Sequence, residues 1–357
     1  MANVVVNTAS IVSHWSAECI AQAELLEVFR PLIGKTSDKN AFIYVPPERY
    51  AEGLTCVVPL RKAVTTAALE DGADYEGQGQ KSLMSETTIT KNERGQVFGG
   101  FTTYEEGQTA VDIREEHCDE AANWWAQDFD GKFISQMALA TASLPTKGNR
   151  LDSQYNVEYA GDANSWAGLQ PHHKLSPQGI TRAKKFFQQR GIRPGRIGAG
   201  YMGYILIVPS EVTYDLQWNP EMRTALKDAL PPSEDHVFFK GHGLKPWGYI
   251  DGVYIVEDTR PVYGGSDYTF LSTETIDDAD MIKAECIFMG AQGMAYYDWK
   301  DITWFERIYQ HNRKYEMSVH GEWGASKTVI DLSATINGGT DRDYGIGYFC
   351  VAASQVS

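Results

Sequence analysis

From about Thr102 to Ser143, apolar residues recur at three- and four-residue steps: Val111, Ala121, Trp124, Trp125, Phe129, Phe133, Ile134 and Met137. That spacing marks one buried face of an α-helix. If unbroken, the helix is on the order of 60 Å long at 1.5 Å per residue, more than a compact enzyme needs from a single element. Thr102 with Glu105, and Thr103 with Glu106, each offer a capping box at its start. Asp112, Glu115, Glu116, Asp119 and Glu120 crowd its first half, where the helix dipole favours acids. Gly107 and Gly131 are the two points at which it can break. Trp124, Trp125, Phe129, Phe133 and Met137 are the expected core face.

The chain before this helix has a different pattern. Residues 16–30, SAECIAQAELLEVFR, carry Ile20, Ala23, Leu26 and Phe29 at helical spacing and are stopped by Pro31 and Gly34. From Ala41 to about Gly100 the runs FIYVP, LTCVVPLRKAV and ETTITKNERGQVFGGF read as strands around the polar stretch LEDGADYEGQGQ. The expectation is a long hairpin with a hydrophilic tip. A two-stranded hairpin is marginal by itself, so it should lean on another surface.

After the helix, residues 145–175 are rich in Gly, Asn, Pro and Ser and read as loop with one short strand. LSPQGITRAKKFFQQRG then gives a Ser176 cap, Pro177 at the first helical position, an apolar face through Ile180, Ala183 and Phe187, and Gly191 as the stop. YILIVPSE reads as a strand bounded by Pro209, NPEMRTALKDAL as a short helix, and GYIDGVYIVED and AECIFMGAQGMAYYDW as strands. An extended region follows from about Tyr315, in which Met317, Val319, Gly321 and Trp323 share one face by strand alternation. The pattern as a whole is α+β.

Composition narrows the function. With 357 residues, 43% of them hydrophobic, the chain can bury a sizeable core. Asp and Glu number 47 against 32 Lys and Arg, a formal charge of -15, which disfavours binding to a phosphate backbone. No window has the roughly 18 apolar residues of a membrane span, and the N-terminus lacks a basic segment followed by an apolar run. Cys19, Cys56, Cys118, Cys286 and Cys350 show no C-x-x-C pairing and read as reduced, mostly buried thiols. Aromatic content of 12% is rich in the Tyr and Trp that favour protein interfaces.

The residues that superficially suggest chemistry read better as structure. Gly198, Gly200 and Gly203 form G-x-G-x-x-G, but they precede a strand where a dinucleotide fingerprint must follow one and open a helix. His172 with His173, and His236 with His242, lack a helical i+4 carboxylate partner and read as loop histidines. Glu115 with Glu116, and Asp277, Asp278 and Asp280, are acidic runs of the kind that usually face solvent. Cys118 and His117 are helix neighbours and point in different directions. Arg307, Arg313 and Lys314 beside Tyr315 suit a contact with another subunit's acidic patch better than one with nucleic acid. No catalytic residue, cofactor site or metal site is expected.

The order of parts, together with LSPQGITRAKKFFQQRGIRP, YILIVPSEVTYDLQWNP, FFKGHGLKPWGYIDGVYIVEDTRPVY and AECIFMGAQGMAYYDW, resembles the major capsid proteins of tailed bacteriophages. Their fold is shared with herpesvirus shells, and the similarity is specifically to the N-four-type, schitovirus-like capsid family. The resemblance implies an N-terminal arm over 1–40, an extended loop over 41–102 and a peripheral domain with spine helix over 103–171. It further implies an axial domain over 172–300 and a return to the peripheral domain over 301–357. Arg61, Lys62, Asp71, Tyr75, Lys81 and Lys91 would then lie on the extended loop at inter-subunit contacts.

The function so implied is self-assembly into pentamers and hexamers of an icosahedral head around double-stranded DNA, held without sequence-specific contact. Scaffold, portal and decoration proteins are the expected partners, a membrane is not, and assembly would take place in the bacterial cytoplasm before the subunit resides in the virion. Two rivals remain at this point: another virion component such as a decoration or tail protein, which should lack the hairpin followed by the spine helix, and an acidic intracellular hydrolase, which needs carboxylates converging in a pocket.

Overall fold

The computed structural model describes residues 23, 27–48, 51–61, 84–102, 113–137, 145–147, 154–197, 201–222, 246–258, 271–276, 281–309, 314–330 and 341–354. Two sheets and one long helix organise them. A five-stranded sheet runs β1 (Ile33–Thr36), β2 (Ile43–Val45), β14 (Met294–Tyr309), β15 (Lys314–Lys327) and β6 (Asn92–Thr102). The hairpin strands β4 (Thr55–Arg61) and β5 (Met84–Thr90) form a separate small sheet with β3 (Ala51–Glu52). A short pair joins β16 (Val329–Ile330) to β17 (Arg342–Asp343).

The larger sheet is ordered β10 (Pro246–Ile250), β11 (Val253–Asp258), β9 (Tyr201–Pro209), β13 (Met281–Met289), β18 (Ile346–Ser354) and β7 (Val157–Tyr159). To it β12 (Leu271–Thr275) adds beside β13, and β8 (Gly195–Ile197) beside β9. β13 is buried along its whole length and β18 along all but its last residue. That is the mark of central strands covered on both faces. Alternation divides their side chains. Ile282, Ala284, Cys286, Phe288, Phe349 and Val351 face helices α2 (Pro177–Gln189) and α3 (Ser210–Trp218), whereas Ile287, Met289, Tyr348 and Cys350 face the cluster that also receives the long helix α1 (Ile113–Met137).

Of the 103–143 run, residues 113–137 form one continuous helix that passes through Gly131 without a break. Its 25 residues span about 37 Å. Of the two candidate capping boxes, Thr102 is the last residue of β6, and Thr103, Glu105 and Glu106 lie outside the described residues. So does most of the expected 16–30 helix: Ala23 is helical, but by Glu27 the chain has left the helix, and Pro31 sits in a single 3₁₀ turn, Arg30–Leu32. There Phe29, fully buried, stacks on Phe133 of α1 at 5.4 Å.

Three expectations are revised. ETTITKNERGQVFGGF is not one hairpin strand: it divides at Lys91, and β6 leaves the hairpin to pair antiparallel with β15, more than 200 residues away in sequence. The segment Ser210–Trp218 is a helix directly after β9. The last strand, β18, does not pair with β14 or β15 but joins the larger sheet between β13 and the edge strand β7. Elsewhere the local signals match. Ser176 caps α2 by accepting a hydrogen bond from Gly179 N at 3.1 Å. Asp251 and Gly252, both at positive φ, make the two-residue turn between β10 and β11.

Candidate functional site

The features that carry function here are surfaces and the elements that fix them. The hairpin has one apolar side: Cys56, Val58 and Leu60 on β4 and Ile89 on β5 are buried, with Glu86, Thr88 and Thr90 on the solvent side. This apolar side packs on Tyr44 and Ala295, with Tyr297, Trp299 and Tyr344 around it. The base of the hairpin therefore leans on its own chain. Thr87 Oγ1 adds a reciprocal bridge, donating to Val329 O at 3.2 Å and accepting from Val329 N at 3.1 Å.

At the exit of the hairpin, Lys91 forms an ion pair with Glu322 of β15, and Arg94 of β6 makes a two-pronged pair with Asp128 of α1, its Nε donating to Oδ2 at 2.8 Å. Bidentate guanidinium–carboxylate pairing fixes orientation as well as distance. Lys91, read from sequence as a cation for another subunit, is thus engaged inside its own chain, because the turn into β6 sets it beside β15. Arg61 ends β4 opposite Met84. Lys62, Asp71, Tyr75 and Lys81 lie outside the described residues.

On the spine helix, Trp125, Phe129, Phe133 and Met137 are buried at no more than 3% exposure, while Trp124 is half-buried at the cluster's edge. Phe129 and Phe133 meet Trp323 of β15 at 4.9 and 6.1 Å, and Phe129 meets Tyr296 of β14 at 5.7 Å. Asp130, also buried, accepts from Val28 N at 2.9 Å and Phe29 N at 3.1 Å, tying the N-terminal segment to the same helix. Met317, Val319 and Trp323 are buried together, and Gly321 between them lies under Trp125.

The groups that might do chemistry are held as structure. Burial pushes the Cys56 thiol up to about 11 and raises those of Cys286 and Cys350 further, so these three free thiols are poor nucleophiles. Cys118 is disulfide-bonded, which corrects the expectation of five reduced cysteines. Glu116, Asp119 and Glu120 are exposed on α1. Gly203 sits inside β9, where a Cβ would lie 2.9 Å from Gly252 O and 2.7 Å from Ile197 Cδ1, so close strand approach accounts for it. Gly198, Gly200, His236, His242 and Asp277, Asp278 and Asp280 lie outside the described residues.

Among the described residues one group, Asp162, His172 and His173, has ligand atoms close enough for a metal ion. Its hydrogen bonding argues against that use. Gln170 N–H donates to His173 Nδ1 at 3.0 Å, so the ring proton sits on Nε2 and is donated to Asp162 Oδ1 at 2.5 Å. A metal on Nε2 would need an imidazolate. The His173 hydrogen bond in turn holds the Asp162 carboxyl below its usual range. No described helix is long and apolar enough to cross a membrane.

A hairpin fixed at its base, a spine helix laid on a sheet completed by late strands, and a second sheet closed by the final strand together make the fold of a phage capsid shell protein. Residues 3–170 match the family model described as phage capsid protein. Solved capsids share the fold over nearly the whole chain. That of Ralstonia phage GP4 is 16% identical, with 93% of both chains covered and a TM-score of 0.71. The cyanophage Pam1 capsid is 14% identical, with complete coverage of both chains and a TM-score of 0.67. The head of Helicobacter pylori bacteriophage KHP40 is 13% identical, with 93% of this chain and 91% of that chain covered and a TM-score of 0.64. No curated protein sequence matches the chain.

Proposed function

We infer that this chain is the major capsid protein of a tailed bacteriophage, of the N-four type, and that copies of it tile an icosahedral head around double-stranded DNA. The observation that carries the reading is the coverage of 91–100% in both directions with three phage capsid subunits, joined to the family match over 3–170.

On this reading the five-stranded sheet and α1 are the peripheral domain, the larger sheet with α2 and α3 is the axial domain, and the hairpin reaches a neighbouring copy through residues 62–83. Tyr214 and Trp218 on α3 and Tyr249 on β10 are about half exposed. Exposed Tyr and Trp suit subunit contacts near the capsomer centres. The acidic balance of 47 to 32 suits a wall along which packaged DNA slides instead of sticking. Scaffold, portal and decoration proteins are the partners such a shell needs. Assembly takes place in the host cytoplasm and the subunit ends in the virion. Catalysis has no place in the role.

The test is negative-stain electron microscopy with light scattering on the expressed protein, alone and with the products of neighbouring reading frames. Shells or capsomer-like rings are expected. A persistent monomer in every mixture overturns the reading.

A further inference from the structure

The disulfide at Cys118 stands in the half of α1 that receives the N-terminal segment, and its partner follows from counting. The chain has five cysteines, and Cys56, Cys286 and Cys350 are free thiols, so Cys19 is the one cysteine left for Cys118. Cys19 itself lies outside the described residues. The contacts of the residues that follow it point the same way. Ala23, whose carbonyl accepts from Glu27 N in a helical turn, is buried and shares a narrow gap with Ala121, Ala122 and Trp125 of α1. Further on, Val28 N and Phe29 N donate to Asp130, and Phe29 stacks on Phe133. Position 23 with 121 and 122, 28 and 29 with 130, and 29 with 133 advance together, so the segment is laid parallel to α1. One helical turn back from Ala23 and Ala122 on this register stand Cys19 and Cys118.

We propose that Cys19 and Cys118 form a redox-timed staple, open while the subunit is made and closed in the finished particle, that clamps the N-terminal segment along the spine helix. The timing rests on the capsid reading, which puts synthesis in a bacterial cytoplasm, where thiols are kept reduced. Release into an oxidising medium supplies the oxidant, a low-molecular-weight disulfide. One protein thiolate attacks it and expels a small thiolate; the second protein thiolate attacks the mixed disulfide and expels the other. Two protein thiols thus give up two protons and two electrons, and one small disulfide becomes two small thiols. Cys118 is 2% exposed, so the closed bond is sheltered from reductants. Closure turns residues 19–118 into a ring that contains β4, β5 and β6, and a ring of that length removes much of the freedom of the unfolded chain.

The experiment compares two samples of the full-length subunit. In one, expressing cells are lysed directly into urea with iodoacetamide; in the other, the purified subunit is incubated with oxidised glutathione before the same quench. Both are digested without reductant and mapped by mass spectrometry. A linked Cys19–Cys118 peptide pair is expected after oxidation, and alkylated Cys19 and Cys118 in the cell-quenched sample, with Cys56, Cys286 and Cys350 unlinked in both. The oxidised subunit should melt about 5 °C above the reduced one. In Cys19→Ser and in Cys118→Ala that difference should vanish, and because it is read within each variant it does not depend on the variant's own stability. No linked pair after oxidation, or Cys118 linked to any other cysteine, overturns the pairing. A linked pair already present in the cell-quenched sample overturns the timing and makes the bond a permanent tie. Every measurement is made on the unassembled subunit, so a failure to form shells would count against the capsid reading and leave the result on the staple intact.

Discussion

Gly321 of β15 lies directly beneath Trp125 of α1: a Cβ on Gly321 would stand 2.8 Å from the indole Cη2. The gap on the strand lets the helix approach the sheet closely enough for Phe129 and Phe133 to reach Trp323. A residue without a side chain in mid-strand ordinarily weakens the strand, and here it is where another element comes close.

Gly321→Ala is accordingly expected to destabilise the subunit by about 1–3 kcal/mol through overpacking. Trp125→Phe placed in the same chain should recover part of that loss, since the smaller ring withdraws from the added methyl. Thermal melts of the two single variants and the double variant check the coupling, and strict additivity would show that the two residues do not share a contact.

Phe133 and Trp124 should separate cleanly on truncation. Phe133 is fully buried and touches Phe29, Phe129 and Trp323, so Phe133→Ala is expected to cost about 3–5 kcal/mol. Trp124 lies at the rim of the cluster and keeps part of its surface in water, so Trp124→Ala should cost clearly less. Urea denaturation of the two variants measures the difference. Equal losses would mean that the helix is rotated from the phase described.

The face of the spine helix was legible because an α-helix repeats its pattern within a few residues, and Trp125, Phe129, Phe133 and Met137 print that pattern directly. The α2 cap at Ser176 and the Asp251–Gly252 turn were legible for the same reason: each is local chemistry. What escaped was non-local or unsignalled. Nothing at Lys91 marks the point where alternation passes from one sheet to another, since neither Gly nor Pro interrupts it. SEVTYDLQW hides a helix behind β-branched and aromatic residues that follow a strand without a break. The space lined by Trp125 of α1, Trp323 of β15 and Tyr296 of β14 lies beside a register slip in β14, and no sequence spacing encodes that convergence.

Asp298 gives a pH signature of known sign. Its carboxyl is pushed by burial from the ordinary 3.8 of an aspartate up to about 6, so the folded state holds this proton more tightly than the unfolded chain. The ionised carboxylate therefore weakens folding in full above about pH 6, and the penalty fades as pH falls towards 4. Asp298→Asn should melt higher than the native subunit at pH 8 and lose that advantage by pH 4. Melting curves across this range decide it: an advantage that persists at pH 4 would assign the effect to packing.

Deleting Asp71–Gln80 removes the polar tip LEDGADYEGQGQ almost entirely while leaving β4 and β5, whose register runs from Thr55 with Thr90 to Arg61 with Met84. Because the apolar side of that pair packs on Tyr44 and Ala295 of its own chain, the shortened subunit is expected to fold with a near-native melting temperature. Its assembly should fail, since a hairpin that ends at its own base has nothing to lay across a neighbour. Circular dichroism and electron microscopy on the same preparation separate the two effects. A folded variant without shells places the loop at the inter-subunit contact, whereas normal shells from it would move that contact elsewhere on the subunit.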